Sequence, residues 1–322
     1  MKSKKLIAIS MMMMIMLGCS VSFFATSTPT VGSEPTGTVT LSATDLILTP
    51  SETSAVTVPP TNPPGLTVDG IKNSLIFAPE IQRIVQLTNG EYTESLSDGS
   101  VLLVVLNENI AFGDLNKDGV EDAVFLIIES MGGTGRFYSI SSLLSGPQGF
   151  TQSNSIFIDD RAIIHTLGIA DGQIILNVNV HDINDPMVNP TLNVTKTFQL
   201  FNEKLDIWRQ TILMSNGTDR SINIESPQEE TEVSGDVTIT GSMPIAPFEN
   251  NLQIQIIGPI GTEMFVGPFM VTAEDMGQPA TFNQTITLPA FPAGSLVKIQ
   301  LTEYSMADGS PRIIDSVLII VK

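Results

Sequence analysis

The chain has 322 residues, enough for two domains of ordinary size, and a formal net charge of −19. This charge argues against a nucleic-acid ligand, because phosphate contacts need clustered lysine and arginine, and equally against a polybasic membrane patch. With a single cysteine, no disulfide can form within the chain. Abundant β-branched residues and scattered Gly and Pro favour strands and turns over long helices.

The N-terminus has the pattern of a secretion signal. A basic segment, Met1 to Lys5, precedes about twelve apolar residues from Leu6 to Leu17. That run is too short for a membrane-spanning helix, which needs ~20 residues. It ends in Met16-Leu17-Gly18-Cys19, which resembles the lipobox of bacterial lipoproteins. The resemblance implies cleavage before Cys19, lipid attachment to Cys19 and a signal peptide over 1–19. An ordinary signal peptide cut nearby, for example after Ala25, is the alternative.

Residues 20–64 are predicted to be a disordered tether. Roughly half of them are Ser, Thr or Pro, and apolar periodicity is almost absent. Such a composition cannot bury enough surface to offset the entropy of ordering the chain. With lipid on Cys19, the sequence predicts a protein secreted and anchored to the bacterial cell membrane or outer surface, with the membrane as a partner.

The region 65–215 is predicted to be an antiparallel, mostly β domain. Short apolar segments alternate with turn residues at the spacing of strands, and a short helix or edge strand is predicted at Ile71 to Ile76. Asn89-Gly90 predicts a hairpin between 84–87 and 91–93. The remaining predicted strands are 101–106, 123–128, 137–144, 155–158, 162–169, 173–180, 194–201 and 204–208.

The region 222–322 is predicted to be a β-sandwich, because it contains seven or eight short strand patterns in about 100 residues. Four segments carry a more specific signal: Ser226-Pro227, Thr238 to Gly241, Pro247-Phe248-Glu249 and above all Glu303 to Ser310. In these segments the region resembles the immunoglobulin-like domain of bacterial spore germination. The resemblance implies an extracytoplasmic Ig-like sandwich with a non-catalytic role. The fold class expected for the whole chain is therefore mainly β.

One loop between two predicted strands has the spacing of a calcium site. If Asp114 is position 1, the oxygen ligands at positions 3 and 5 are Asn116 and Asp118. Gly119 stands at position 6, where the chain turns sharply. Val120 would offer its carbonyl at position 7, and Asp122 would bind at position 9 directly or through water. The predicted cofactor is structural Ca²⁺. A metal-free turn rich in Asp and Asn is the alternative.

The same loop departs from an EF-hand. Position 12 is Phe125 instead of a bidentate glutamate, and the flanking segments are predicted strands, not helices. The loop instead resembles the calcium loops of FG-GAP repeats, because it has the pattern Asp-x-Asn-x-Asp-Gly-x-x-Asp and follows Phe112-Gly113. Those repeats occur in arrays that close a propeller, whereas this chain has one copy. The loop therefore predicts a calcium-stabilised hairpin and implies neither a calcium sensor nor a propeller.

No catalytic motif is present in the sequence, so no catalytic residue is predicted. The sequence favours a surface-anchored, non-enzymatic binding or interaction lipoprotein whose partner is an envelope protein or polysaccharide. Two alternatives stay open at this point. One is a calcium-dependent extracytoplasmic hydrolase acting on envelope polymer or glycan, and the other is a purely structural envelope lipoprotein.

Overall fold

A computed structural model describes residues 66–147, 149–275 and 277–322. The predicted signal peptide, Cys19 and the tether over 20–64 lie outside the described residues. The described chain is nearly all β, which confirms the predicted fold class. No helix among the described residues is long and apolar enough to cross a membrane.

Within the described residues, short strands follow one another along the chain, together with one α-helix and one 3-10 turn at Phe248–Asn250. In the first half they are α1 Val68–Lys72, β1 Leu75–Ala78, β2 Arg83–Gln86, β3 Glu91–Ser95, β4 Val101–Gly113, β5 Asp122–Met131, β6 Phe137–Gly146, β7 Gly149–Gln152, β8 Ile156–Asp160, β9 Ile163–Ala170, β10 Gln173–Val180, β11 Leu192–Phe201, β12 Lys204–Leu213 and β13 Asp219–Arg220. In the second half they are β14 Asn223–Ser226, β15 Thr231–Val233, β16 Asp236–Met243, β17 Asn251–Ile257, β18 Glu263–Met270, β19 Thr272–Ala273, β20 Ala280–Thr287, β21 Leu296–Tyr304 and β22 Pro311–Val321.

Strand β5 is the centre of a six-stranded sheet with the order β3-β4-β5-β6-β7, in which β8 also pairs with β6. The apolar run of β5 is buried on both faces, as a continuous hydrophobic strand requires. On one face Val124 and Leu126 join the main core, which also contains Ile174 of β10. On the other face Phe125 packs in a smaller core with Ile71 of α1. The smaller core explains why the helix docks on this sheet.

A ten-stranded sheet joins the two halves of the sequence. Its order is β18-β17-β21-β22-β12-β11-β10-β9, so β22, the last strand in the chain, lies between β21 and β12. The junction between β12 and β22 is narrow, with one antiparallel pair at Gln210 and Ile314. The Gln210 side-chain amide adds two hydrogen bonds across this junction, to the carbonyls of Pro311 and Arg312 at 3.2 and 2.7 Å. Backbone pairing therefore connects the two predicted domains, which are separated in the sequence by the segment 215–222.

The second half packs as a sandwich. A four-stranded sheet with the order β14-β16-β20-β19 shares its core with β17, β18, β21 and β22. Phe269 and Phe282 meet edge to face across the two sheets, with ring centroids 5.5 Å apart. A β-carbon at Gly241 would overlap the Asn223 carbonyl oxygen and the Phe282 ring, so glycine is what lets β14 and β16 approach. The predicted β-sandwich is confirmed.

The predicted hairpin at Asn89-Gly90 is wrong in its strand pairing. The turn forms, with φ of 55° and 88° at these two residues and both backbone hydrogen bonds between Thr88 and Glu91. However, β2 pairs with β1 and β3 pairs with β4, which leaves a single bridge at the turn. The strands diverge because Val85 of β2 is buried in the smaller core with Ile76 of β1. The segment from Ile71 to Ile76, predicted to be a short helix or an edge strand, contains the end of α1 and the start of β1.

Ionic side-chain contacts reinforce the junction between the halves. Lys298 of β21 is fully buried, and its Nζ donates to Asp206 Oδ2 of β12 at 2.8 Å and to the Ile207 carbonyl at 3.0 Å. Arg220 of β13 forms an ion pair with Glu303 of β21. Each pair joins segments far apart in the sequence, and its buried member, Lys298 or Glu303, needs the partner charge.

Candidate functional site

The acidic loop connects β4 and β5, the longest hairpin of the six-stranded sheet. Its base is the antiparallel pair Gly113 and Asp122, and the loop between them turns through two left-handed residues. Lys117 has φ of 61° and Gly119 has φ of 84°. The second of these is the conformation that the glycine at position 6 was predicted to supply.

The side chains of Asp114, Asn116 and Asp118 turn into the loop and meet each other. Asp114 accepts hydrogen bonds from the backbone N–H groups of Asp118 and Gly119 at 3.1 and 2.9 Å. The Asn116 oxygen also accepts from the Asp118 N–H, and its amide nitrogen donates to Asp118 Oδ2, at 3.1 and 3.0 Å. Asp118 Oδ1 in turn accepts from the Val120 N–H at 2.8 Å. Three of the predicted ligands are thus brought together.

Asp122 has a different position from these three residues. Its side chain is fully buried at the base of the loop, where Oδ2 accepts from the Leu115 N–H at 2.9 Å and Oδ1 from the Ser145 N–H at 2.8 Å. Burial raises the pKa of this carboxyl, the two backbone hydrogen bonds oppose that shift, and the charge of Asp118 adds to it. Asp122 therefore fixes the loop onto β6, and the structure does not place its carboxylate among the other three predicted ligands.

The donor set of the loop suits a hard cation in part. Asp114, Asn116 and Asp118 each accept within the loop, but a carboxylate oxygen keeps a second lone pair after accepting one hydrogen bond. The Val120 carbonyl, predicted as the fourth ligand, accepts no hydrogen bond from the described residues. Oxygen donors of this kind are those that Ca²⁺ prefers. Within the described residues, no group of three or more His, Cys, Asp or Glu side chains has the geometry of a metal site.

A turn far away in sequence lies against the acidic loop. The β9–β10 turn, Asp171-Gly172, packs on it closely, since a β-carbon at Gly172 would be 3.3 Å from Lys117 Cε and 3.6 Å from the Asp114 carbonyl oxygen. Beside this contact a cleft of about 730 Å³ opens between the loop and the second half of the chain. Neither the turn nor the cleft has a local sequence signal, because each depends on residues far apart in the chain.

Asp159 and His181 form a half-buried polar pair that has no local signal in the sequence. His181 Nδ1 lies 2.9 Å from Asp159 Oδ2, and the same carboxylate accepts from the His181 backbone N–H. The other ring nitrogen, Nε2, is buried without a hydrogen-bond partner among the described residues. An acid–base group must reach the proton that it transfers, so the burial of Nε2 favours a structural role in this conformation.

Comparison with known families identifies one part of the chain. Residues 221–310 match the family described as the immunoglobulin-like domain of bacterial spore germination. The match covers the sandwich from the end of β13 to just before β22, and it confirms the Ig-like resemblance of the second half. No curated protein matches the chain.

Proposed function

We propose that this chain is a cell-surface-anchored, non-enzymatic binding or interaction lipoprotein with a calcium-stabilised β domain and an Ig-like module. The match of residues 221–310 to an immunoglobulin-like domain carries the proposal. Lipid on Cys19 would anchor the chain in the membrane, and residues 20–64 would hold the folded part away from the surface. Anchor, tether and a continuous β body together fit display of a binding surface outside the cell.

The calcium part of the proposal is supported by the geometry of Asp114, Asn116 and Asp118. Their oxygens converge within one loop, and Asp122 holds the base of that loop in place through Leu115 and Ser145. The Val120 carbonyl would add a fourth oxygen. Calcium would cancel repulsion between neighbouring carboxylates and thereby stabilise the β4–β5 hairpin.

Calcium is expected to raise the melting temperature of residues 20–322. With ~1 mM calcium and a dissociation constant near ~10⁻⁴ M, typical of extracellular modules, the gain is roughly 1.4 kcal/mol. For a fold of this size that corresponds to a shift of about 3–6 °C. Asp118→Ala should abolish the shift, and thermal unfolding in calcium and in chelator measures it.

The control for this melt is Asp98→Ala, because Asp98 also accepts from the N–H two residues later in an exposed turn. This variant should lose a similar turn hydrogen bond and keep the full calcium shift. A wild-type melt that is identical in calcium and in chelator would refute the calcium assignment. It would leave the binding proposal intact, because that proposal rests on the Ig-like match.

The binding function predicts a specific partner in the cell envelope. Residues 20–322, immobilised and exposed to solubilised envelope with calcium present, should retain a defined protein or polysaccharide that a heat-unfolded sample does not. Mass spectrometry and glycan analysis of the eluate identify it. Equal retention by folded and unfolded samples would count against a binding function.

A further inference from the structure

Two connected cavities run along the junction between the halves of the chain. The larger cleft, of about 730 Å³, lies between the acidic loop, the β9–β10 and β11–β12 turns and the start of the Ig-like region. A smaller pocket of about 220 Å³ lies along β22, beside Arg209, Asp315 and Ser316. Gln173 and Glu229 line both, so the cavities meet there and form one groove.

The walls of the groove combine apolar side chains with uncharged hydrogen-bonding groups. Leu144, Leu200 and Leu296 supply apolar surface, and Gln173 and Gln199 supply amides. Amide side chains both donate and accept, as the backbone of an extended peptide does. The described residues that line the larger cleft include no aromatic ring. The larger cleft therefore lacks the aromatic platform on which sugar rings usually stack, whereas Trp208 lines the smaller pocket.

The charges on the rim of the larger cleft are mostly negative. Asp171, Glu203 and Glu230 line it, and their side chains make no hydrogen bond or ion pair with the described residues. Lys117 is the single cation among the described lining residues. Unpaired carboxylates around a concave surface attract a cationic ligand and repel a polyanion.

The smaller pocket contains a buried hydroxyl without a partner beside a buried carboxylate. Ser316 has a relative exposure of 7%, and its Oγ has no partner among the described residues. Asp315 Oδ2 accepts from the Ile224 N–H at 2.8 Å, and the Arg209 guanidinium stands 3.9 Å from Oδ1. An ammonium or guanidinium group entering here would meet the unpartnered hydroxyl and could donate a further hydrogen bond to the carboxylate.

We infer that this groove binds an extended, basic polypeptide segment. Lysine or arginine side chains of the segment pair with Asp171, Glu203 and Glu230, and its backbone bonds to the glutamine side chains of the walls. Apolar parts of its side chains lie on the leucines. The inference rests on the proposed binding function and gives it a site and a class of partner.

The test uses residues 20–322 and a fluorescent twelve-residue peptide of alternating lysine and serine, followed by anisotropy at ~0.15 M salt. Replacing two rim carboxylates, Glu203→Lys with Glu230→Lys, should raise the Kd about tenfold or more, because attraction becomes repulsion at both positions. The control, Glu91→Lys with Glu274→Lys, changes the net charge by the same amount at exposed positions outside the groove. It should change the Kd by less than about twofold.

Equal weakening in both double variants would overturn the inference, because it would show general attraction to an acidic protein. Unchanged affinity in the rim variant, or stronger groove-dependent binding of a glucosamine oligomer, would overturn it as well. Thermal unfolding of each variant confirms that it folds. If the wild type and the Glu203→Lys, Glu230→Lys variant capture the same envelope partner equally well, the groove is not the binding site. The proposed binding function would still hold in that case.

Discussion

Lys298→Ala is expected to lower the free energy of unfolding by about 3 kcal/mol, since it combines the loss of a buried side chain with the loss of a buried ion pair. The ammonium is fully buried, bonds to Asp206 and the Ile207 carbonyl, and lies 5.0 Å from the centroid of the Trp208 ring. Burial lowers the pKa of Lys298, and Asp206 opposes the shift. Truncation leaves a cavity between β21 and β12 and an unpaired carbonyl. Urea unfolding monitored by tryptophan fluorescence measures the loss.

Lys298→Met separates the volume of this side chain from its charge. Methionine fills nearly the same space and carries no charge to desolvate, so we expect stability within about 1.5 kcal/mol of the wild type. Asp206 is 38% exposed in its side chain and can turn to water when its partner is gone. A methionine variant as unstable as the alanine variant would mean that the charge itself holds the junction together.

The control for both variants is Lys322→Ala. Lys322 pairs with Glu232 at 2.9 Å, but both side chains are more than half exposed. Exposed pairs contribute ~0–1 kcal/mol, so this change should be close to neutral. A loss comparable to that of Lys298→Ala would show that the location of the pair at the junction is irrelevant.

Asp315 is expected to make the protein less stable as pH rises from about 4 to about 6. Burial raises the pKa of this carboxyl from 3.8 to about 6, and Arg209 and the backbone N–H groups of Ile224 and Ser316 offset only part of that effect. The folded state therefore binds the proton more tightly than the unfolded state, so stability is greatest below the unfolded pKa and falls through the folded one. A difference of two pKa units corresponds to about 3 kcal/mol.

Asp315→Asn isolates this contribution from other carboxyls. In the wild type the Ile224 N–H donates to Asp315 Oδ2 at 2.8 Å, and the amide oxygen of asparagine can accept the same hydrogen bond. Relative to the wild type, the variant should gain about 2–3 kcal/mol on going from pH 4 to pH 8. Asp236→Asn, which removes an exposed carboxyl of β16, is the matched control. Urea unfolding at both pH values gives the comparison, and parallel curves for wild type and Asp315→Asn would contradict the prediction.

Local patterns predicted most of the strands and the place of the acidic loop. The apolar runs on either side of the loop become β4 and β5, and Asp114, Asn116 and Asp118 meet because their spacing alone brings them together. The segments around Thr238 to Gly241 and Glu303 to Ser310 carried enough of a family pattern to predict the sandwich. Periodicity and short spacing were sufficient for these elements, in which the interacting residues are neighbours in sequence.

Pairings between distant segments had no such signal. The turn at Asn89-Gly90 forms as its residues predict, but burial of Val85 decides which strand β2 pairs with. Asp122 has the spacing of a ligand, but the Ser145 N–H, which is 23 residues away, holds its carboxylate at the base of the loop. The pair Gln210 and Ile314 and the groove beside it likewise depend on contacts across about 100 residues.

The position of β22 has a consequence for the order in which the sheet is assembled. Synthesis proceeds from the N-terminus, so β22 is made after both strands that lie beside it, β12 and β21. Until then β21 has an open edge with unpaired backbone groups along its length, and such edges invite pairing with other chains. On β12, the Gln210 amide also lacks its partners until Pro311 and Arg312 arrive. A delay in the docking of β22 therefore leaves the edge of β21 exposed to other chains.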